Sequence, residues 1–229
     1  MASDPNCLTC SNGTCTGSFT LGSVSLTPTA SSGYTFAFWN DGTINSTDNP
    51  LTINMSGDKE LTAQFLPVLK FPLSGTLAAR KLSHFYFNDT WTPGQCPSGT
   101  YEKHVGVDLQ ATTTDEVHAA HTGIVREIFT GQHSEWADAI VIEDDNNQFT
   151  TVYWHVIKYG NLGVGDHVTK DQQIATVADL GDNTHFHLGI RMAPFLSGTS
   201  DKGALPVNNC DSKPAYPEHF VNPELVTYE

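Results

Sequence analysis

Hydrophobic and polar residues alternate with a period of two along much of this chain, and helical periodicity is nearly absent. Because side chains on a strand point alternately to opposite faces, such segments can bury one face against a core. The predicted strands include residues 34–39, 51–55, 61–65, 104–109, 139–143, 149–155, 174–177 and 184–190. The pattern therefore predicts a mainly β protein built from short strands and turns.

Composition changes at Pro67, which we interpret as a domain boundary. Residues 1–16 are short, polar and rich in cysteine, and we expect an irregular N-terminal arm there. Residues 17–66 contain closely spaced strands separated by turn residues, which predicts a small β domain without catalytic residues. Residues 67–229 form the larger domain, whose proline-rich C-terminal part is expected to be mostly loop.

Composition and charge exclude several classes of function. With 229 residues, of which 38% are hydrophobic and 16% charged, the chain is a folded globular protein without a hydrophobic run long enough to span a bilayer. Its net charge of −14 argues against binding to nucleic acids or to anionic membranes. We expect a monomer.

The five cysteines indicate an oxidising compartment and hence an exported protein. Cys7-x-x-Cys10 and the nearby Cys15 are compatible with half of a zinc knuckle, but no second Cys-x-x-Cys follows, so disulfides are the favoured interpretation. Cys96 and Cys210 lie in Pro- and Gly-rich loops of the larger domain, and we predict a disulfide between them. The odd count leaves one thiol without an internal partner.

Histidines supply the strongest chemical signal. His185 and His187 are two residues apart in a predicted strand and therefore share a face, as do His104 and Asp108 in another. A catalytic zinc site uses three protein ligands, typically imidazole and carboxylate groups, and leaves one position open. With His155 there are five candidates, enough for three ligands and two histidines that transfer protons.

The strand that carries His155 follows a polar turn at residues 144–147. Strict alternation places Tyr153 and His155 on one face, and Val152 and Trp154 on the other.

The small β domain resembles the divergent bacterial surface repeat related to the internalin B repeat. The matching segments are Leu26-Thr27-Pro28, Gly33-Tyr34-Thr35-Phe36, Asn49-Pro50-Leu51-Thr52 and Ala63-Gln64-Phe65, together with Trp39. The resemblance implies a spacer or attachment module that takes no part in bond cleavage.

Three motifs occur in order in the larger domain: His104-x-x-x-Asp108, Tyr153-x-His155 and His185-x-His187. With Gly123 and the segments at residues 117–120, 140–142, 151–153, 164–168 and 174–175, they resemble the lysostaphin-type zinc endopeptidases, which cut peptidoglycan cross-bridges or glycine-rich proteins. The resemblance covers roughly residues 100–192. It implies an antiparallel-sheet peptidase domain with an active-site groove.

The resemblance also implies roles for the five residues. His104, Asp108 and His187 would bind one zinc ion per chain, and His155 and His185 would be catalytic residues that do not bind the metal. The substrate would be a peptidoglycan peptide or a glycine-rich protein. The expected location is secreted, cell-surface or periplasmic in a bacterium, and since no signal peptide is recognisable we expect it to lie outside this sequence.

The sequence departs from the family pattern without losing any of the five residues. Phe186 stands between the last two histidines, where leucine is usual, and Leu188-Gly189 follows, where phenylalanine and glutamate are usual. Asp144-Asp145 replaces a usual His-Gly pair, and Asp171 replaces a usual glycine. These differences bear on substrate fit and on support of the ligands.

Some residues keep open alternatives. A tyrosine that assists catalysis in the family lies upstream of the first histidine, and Tyr86 and Tyr101 are both candidates for it. His118 and His121 are interpreted as strand or groove-wall histidines. The remaining histidines are expected at the surface or in loops: His84, His133, His167 and His219.

Three classes of function compete. The leading hypothesis is a zinc metalloendopeptidase. The alternative is a non-catalytic peptidoglycan-binding regulator of the same fold, and a third possibility is a purely adhesive surface protein. Family members of the regulatory kind typically lack some of the five site residues, and because this chain retains all five, the enzyme is favoured.

Overall fold

The computed structural model consists mainly of β-strands joined by short turns. The described residues are 9–11, 14–19, 21–42, 45–82, 90–91, 101–130, 137–199, 201–204, 210–211 and 219–229. The chain divides into two compact units, Met1–Val68 and Leu69–Glu229. The division lies shortly after Pro67, the boundary expected from composition, because the last strand of the first unit runs on through this proline.

The described residues of the first unit form seven strands. They are β1 (Thr9–Ser11), β2 (Thr14–Thr16), β3 (Gly22–Leu26), β4 (Tyr34–Asn40), β5 (Asn45–Ser46), β6 (Leu51–Met55) and β7 (Thr62–Leu69). Strand β3 pairs with β6, and β4 pairs with both β5 and β7, all antiparallel. The ring of Phe36 lies 5.3 Å from that of Trp39 and 6.0 Å from that of Phe65, so these aromatic side chains pack together, with Trp39 buried.

The irregular arm expected for residues 1–16 is, in its described part, a two-stranded antiparallel sheet. Strands β1 and β2 pair in register, with Cys10 directly opposite Cys15. The signal was present in the sequence, because Asn12-Gly13 is a dipeptide that favours two-residue hairpin loops and threonines flank it on both sides. The Cys-rich character of the segment obscured this pattern.

The described residues of the second unit contain a one-turn helix, α1 (Leu77–Arg80), followed by twelve strands joined by turns and loops. They are β8 (Thr90–Trp91), β9 (Tyr101–Lys103), β10 (Val107–Gln110), β11 (Glu116–His118), β12 (Gly123–Phe129), β13 (Asp138–Asp144), β14 (Thr150–Lys158), β15 (His167–Val168), β16 (Gln173–Val177), β17 (His185–Arg191), β18 (Cys210–Asp211) and β19 (Thr227–Tyr228). The prediction of a mainly β protein with an antiparallel sheet is confirmed.

Eight of these strands form the central sheet. Six follow one another in the order β10-β17-β14-β13-β12-β15, and β16 pairs with both β14 and β11. All of the described pairs are antiparallel. The histidine strand β17 therefore lies between β10 and β14, and it is the element that brings the three sequence motifs together.

One face of this sheet, which we call the core face, is apolar. Leu109 pairs with Phe186 and Tyr153 pairs with Leu188, and all four side chains are fully buried. Burial of an aliphatic or aromatic side chain of this size stabilises the fold by about 1.5–3 kcal/mol. The opposite side of the same three strands, which we call the site face, carries Asp108, His185 and His187.

In the parts of the chain that the structure describes, no helix is long and apolar enough to cross a membrane. The disulfide between Cys96 and Cys210 stays a prediction because Cys96 lies outside the described residues. Tyr86, one of the two candidate catalytic tyrosines, is also outside them, as are His84, His133 and Cys7.

Candidate metal centre and active site

Strand pairing places two of the predicted ligands side by side. Asp108 on β10 is the direct cross-strand partner of His187 on β17. Directly opposed residues on antiparallel strands have Cβ atoms about 4.5–5.5 Å apart on the same face. The third predicted ligand, His104, lies between β9 and β10 and is half-buried beside them.

The three side chains converge to one small triangle of ligand atoms. His104 Nε2 lies 3.1 Å from Asp108 Oδ1 and 2.9 Å from His187 Nδ1. The third edge, from His187 Nδ1 to Asp108 Oδ1, is 2.9 Å. Among the described residues, this is the one group of three or more His, Cys, Asp or Glu side chains whose ligand atoms come close enough to bind a single metal ion.

The donor set and its spacing fit zinc. Two imidazole nitrogens and one carboxylate oxygen are ligands that zinc accepts in catalytic sites, where three protein ligands are usual. Tetrahedral zinc with bonds of about 2.0–2.1 Å places its ligand atoms about 3.3 Å apart. The observed edges are only slightly shorter, so small side-chain adjustments suffice to admit the ion.

Electrostatics favour the metal-binding protonation states of Asp108 and His187. Burial acts to raise the pKa of Asp108, but hydrogen bonds from His104 and His187 and the charges of these rings outweigh it, so this pKa lies well below its ordinary value. Burial also lowers the pKa of His187, against the opposing effect of Asp108. A carboxylate and a neutral imidazole are the forms that coordinate metal ions.

Gly106 allows the backbone to approach His187 closely, and the sequence analysis did not identify this residue. A Cβ atom at position 106 would meet Leu188 O at 2.5 Å as well as the His187 ring. Glycine within a run of strand residues is a signal for such close approach, and Val105-Gly106-Val107 carries it. The absence of a side chain at position 106 therefore leaves the space that the His187 ring occupies.

Gly106→Ala is expected to weaken zinc binding by about tenfold or more, since groups that orient metal ligands typically contribute 10–100-fold to affinity. The added methyl group must displace either the His187 ring or the β17 backbone. Competition titration with a chelator measures the effect. Gly198→Ala is the matched control, because a Cβ there meets no atom within 4 Å. Unchanged zinc affinity in Gly106→Ala would show that the ring is positioned by other contacts.

His185 lies beside the triangle and is held in one tautomer. Its Nδ1 lies 2.7 Å from the carbonyl oxygen of Asn183 and must donate to it, because a carbonyl oxygen only accepts. The neutral ring therefore presents an unprotonated Nε2, which lies 3.4 Å from Asp108 Oδ2. Asn183 belongs to a short 3₁₀ turn, Gly181–Asn183, that immediately precedes β17, and sequence reasoning did not identify this acceptor.

His155 reaches the site by a backbone irregularity. Ala139 on β13 pairs with Trp154, and the adjacent Asp138 pairs with Val156, so His155 is an additional residue without its own partner on β13. Its φ angle is +64°, which is unusual for a residue with a side chain. Such β-bulges occur next to active sites, where they redirect a side chain.

The bulge corrects the faces predicted for this strand. Tyr153 lies on the core face, where its ring is 6.3 Å from Phe186, and His155 does not share that face with it. His155 is instead 4.4 Å from the ring of His185 and stacks at 5.9 Å on Trp154. Strict alternation failed because one extra residue reverses the side-chain direction.

Trp154 is a member of the site that sequence reasoning assigned to the wrong face. It is the direct cross-strand partner of His187, and the two ring centroids are 6.0 Å apart. The indole is half-buried and also packs against a small apolar cluster that contains Val141, Val152 and Ala204. Trp154 thus separates the candidate metal centre from this cluster.

His121 has a structural environment on the other side of the sheet. Its Nδ1 donates to Thr122 O at 3.0 Å, so its Nε2, 2.8 Å from Thr151 Oγ1, accepts from that hydroxyl. The hydroxyl group of Tyr153 continues the network and accepts from Ala120 N at 2.8 Å. This buried histidine is a core residue, whereas His118, His167 and His219 are at least partly exposed.

His121 is expected to make the protein sensitive to acid. Burial lowers its pKa in the folded state, despite opposing effects of Thr122, Asp144 and Asp145. Between this pKa and the unfolded value of about 6.5, the unfolded chain binds a proton that the folded chain excludes, so stability falls as the pH drops below about 6.5.

Urea unfolding of wild type and His121→Gln at pH 7.5 and pH 5.5 tests this expectation. At pH 7.5 the variant should be less stable by about 1–3 kcal/mol, because buried hydrogen-bonding groups lose their partner. When the pH is lowered to 5.5, the free energy of unfolding should fall less in this variant than in the wild type. An equal loss in both proteins would contradict the assignment.

Comparison with known proteins found two matching families. Residues 102–200 match the family model described as Peptidase family M23, and residues 9–68 match the one described as Divergent InlB B-repeat domain. The first match includes all five site residues. Both resemblances inferred from the sequence are confirmed. No match was found among curated proteins.

Solved structures with a related fold include three bacterial proteins. The catalytic domain of lysostaphin from Staphylococcus simulans shares 23% identity, covers 52% of this chain and 86% of its own, and has a TM-score of 0.41. Helicobacter pylori Csd3 shares 23% identity; the match covers 66% of this chain and 41% of Csd3, with a TM-score of 0.42. A zinc-containing peptidase from Vibrio cholerae shares 16% identity; the match covers 64% of this chain and 44% of that peptidase, with a TM-score of 0.39. These scores are low, so the assignment rests on the family models.

Proposed function

We propose that this chain is a zinc metalloendopeptidase that hydrolyses peptide bonds in peptidoglycan cross-bridges or glycine-rich proteins. It carries a peptidase family M23 domain at residues 102–200 and a divergent InlB B-repeat domain at residues 9–68. One observation carries the proposal. Three ligand atoms converge within 3.1 Å of one another, and two further histidines stand beside them on the same face of the sheet.

In this proposal His104, Asp108 and His187 hold one zinc ion per chain. When bound there, zinc would supply Lewis-acid chemistry, lowering the pKa of water and polarising the scissile carbonyl group. Asp108 has a second function, since its Oδ1 faces the other ligands while its Oδ2 faces His185. The carboxylate therefore links the metal ligands to the proton-transfer residues.

His185 and His155 handle protons in this proposal. The carbonyl of Asn183 keeps the proton of neutral His185 on Nδ1, so Nε2 is the atom that accepts and returns a proton. Once protonated, this nitrogen can donate to Asp108 Oδ2, which stabilises the charged ring. His155 lies 4.4 Å from His185, ring to ring, close enough for both to act on one bound peptide.

We propose that the protein works outside the cytoplasm of a bacterium, secreted, at the cell surface or in the periplasm, as a monomer stabilised by disulfides. The N-terminal unit, whose described residues bring no cluster of His, Asp or Glu together, would serve as a spacer or attachment module. Attachment would raise the local concentration of the enzyme on an insoluble substrate.

The decisive experiment combines metal analysis with digestion. Zinc-loaded protein is incubated with several peptidoglycan types and with a glycine-rich protein, and mass spectrometry identifies the new termini. We expect one zinc per chain and cleavage of at least one substrate, abolished by a chelator and restored by zinc. A protein that binds peptidoglycan and zinc but cleaves nothing would instead be the non-catalytic regulator.

A further inference from the structure

Two apolar side chains of β14, Trp154 and Ile157, form a partly exposed strip beside His155 on the site face. Beyond the bulge, Val156 pairs with both Asp138 and Val177 and is fully buried towards the core face. The next residue, Ile157, therefore returns to the site face, opposite Thr176 on β16. Successive residues on one face of a strand are about 6.5 Å apart, so Ile157 borders the candidate active site.

Ile157 is a large, exposed aliphatic side chain near the C-terminal end of β14, where the strand is paired on one side, with β16. Its exposed fraction is 54%, although its neighbour Val156 is completely buried. Across His155 lies Trp154, whose half-buried indole stacks on the His155 ring. Two apolar side chains thus flank the same catalytic candidate, one on each side along β14.

The strip contains no charged side chain among the described residues of β14 that face the site. Lys158 alternates to the opposite face from Ile157, and its Nζ donates to Gly160 O. On the neighbouring strands, the direct partner of Ile157 is the uncharged Thr176, and Glu116 follows one strand further on, opposite Thr176. A charged substrate side chain placed directly over Ile157 would therefore lose hydration against an apolar surface, and the nearby carboxylate of Glu116 would add repulsion for an acidic one.

We infer that Trp154 and Ile157 form a specificity subsite for an uncharged aliphatic side chain of the substrate, located within two residues of the cleaved bond. The inference rests on the proposed peptidase function and narrows its substrate class. An extended peptide rises about 3.3 Å per residue, so the distance from His155 to Ile157 corresponds to two substrate residues. Glycine fills no part of such a subsite, whereas leucine or valine covers the apolar surface that Ile157 exposes.

The test uses zinc-loaded full-length protein and end-blocked peptides. The probes are pentaglycine and variants in which each glycine in turn is replaced by leucine, aspartate or lysine. Cleavage rates give kcat/KM for each peptide, and mass spectrometry locates the cut. Wild type is expected to prefer leucine over glycine by about tenfold or more at one position, the discrimination typical of an apolar pocket.

Ile157→Ser is expected to reduce this preference to about one, with unchanged zinc content. Val164→Ser is the matched control, since Val164 is 60% exposed but lies in the turn before β15, at the far edge of the sheet. This control should keep the wild-type preference. A leucine-to-glycine ratio that is the same in Ile157→Ser and wild type, or a wild type that prefers glycine at every position, would overturn the inference.

Failure of the proposed function has a different signature. If zinc-loaded wild type cleaves none of the peptides, calorimetric binding of the same uncleaved peptides tests the subsite alone. Tighter binding of one leucine peptide than of pentaglycine, lost in Ile157→Ser, would support the subsite. Equal affinity for both peptides in the wild type would reject it.

Discussion

His187→Ala is expected to bind zinc at least a hundredfold more weakly than the wild type and to lose turnover to the background rate. Removal of this ring leaves only His104 and Asp108 as protein ligands, fewer than the three that catalytic zinc sites use. Loss of a residue that merely orients a ligand already costs 10–100-fold in affinity, and loss of the ligand itself should exceed that. Asp108 and His104 would also each lose a contact of 2.9 Å with the His187 ring.

Metal analysis after dialysis and a competitive chelator titration measure the effect. His118→Ala is a suitable control, because this histidine is partly exposed on β11 and lies outside the ligand triangle. It should retain the zinc content and activity of the wild type. Full zinc occupancy in His187→Ala, with a wild-type melting temperature, would mean that the ligand set is wrong.

Turnover is expected to fall about 10²–10⁴-fold in His185→Ala and in His155→Ala, while both variants retain zinc. This range is the usual contribution of one general acid or base. Neither ring belongs to the ligand triangle, and His185 is held by Asn183 O and faces the outer oxygen of Asp108. The two variants therefore separate proton transfer from metal binding.

The measurements are zinc content and kcat with the best substrate found by digestion. His185→Ala should retain the ion. Its zinc affinity should change modestly, because Asp108 loses the neighbouring His185 ring. Purification of either variant without zinc would show that the division into ligands and proton-transfer residues is incorrect. Retention of full activity by either one would remove it from the catalytic residues.

The sequence predicted the larger features of the molecule because they follow from local patterns. Two-residue alternation made the β fold recognisable, since burial on one face of a strand is a local property. The spacing of His185 and His187 was informative for the same reason, because a regular strand places both side chains on one face. The adjacency of Asp108 and His187 was expected only through the family resemblance, since register between distant strands is not written in either segment alone.

The arrangement around His155 shows what only the tertiary structure decided. Alternation put this residue with Tyr153, but the pairing of β14 with β13 inserts His155 as a bulge and turns it to the opposite face. A bulge depends on how two strands match in length and twist, so it cannot be read from one strand. Ile157 gained its position beside the site through the same reversal, whereas Trp154 lies there through its regular pairing with His187.

The sequence by itself determined which residues are available for chemistry: two imidazoles and a carboxylate that can bind zinc, and two more imidazoles that can transfer protons. It also determined where strands form, through the alternation of apolar and polar side chains. The tertiary structure alone decided the 2.9–3.1 Å spacing of the ligand atoms, the space that Gly106 leaves for His187, and the carbonyl of Asn183 that orients His185. These features join residues that are far apart in the chain or depend on backbone atoms that every residue shares, and side-chain identity carries no direct information about them.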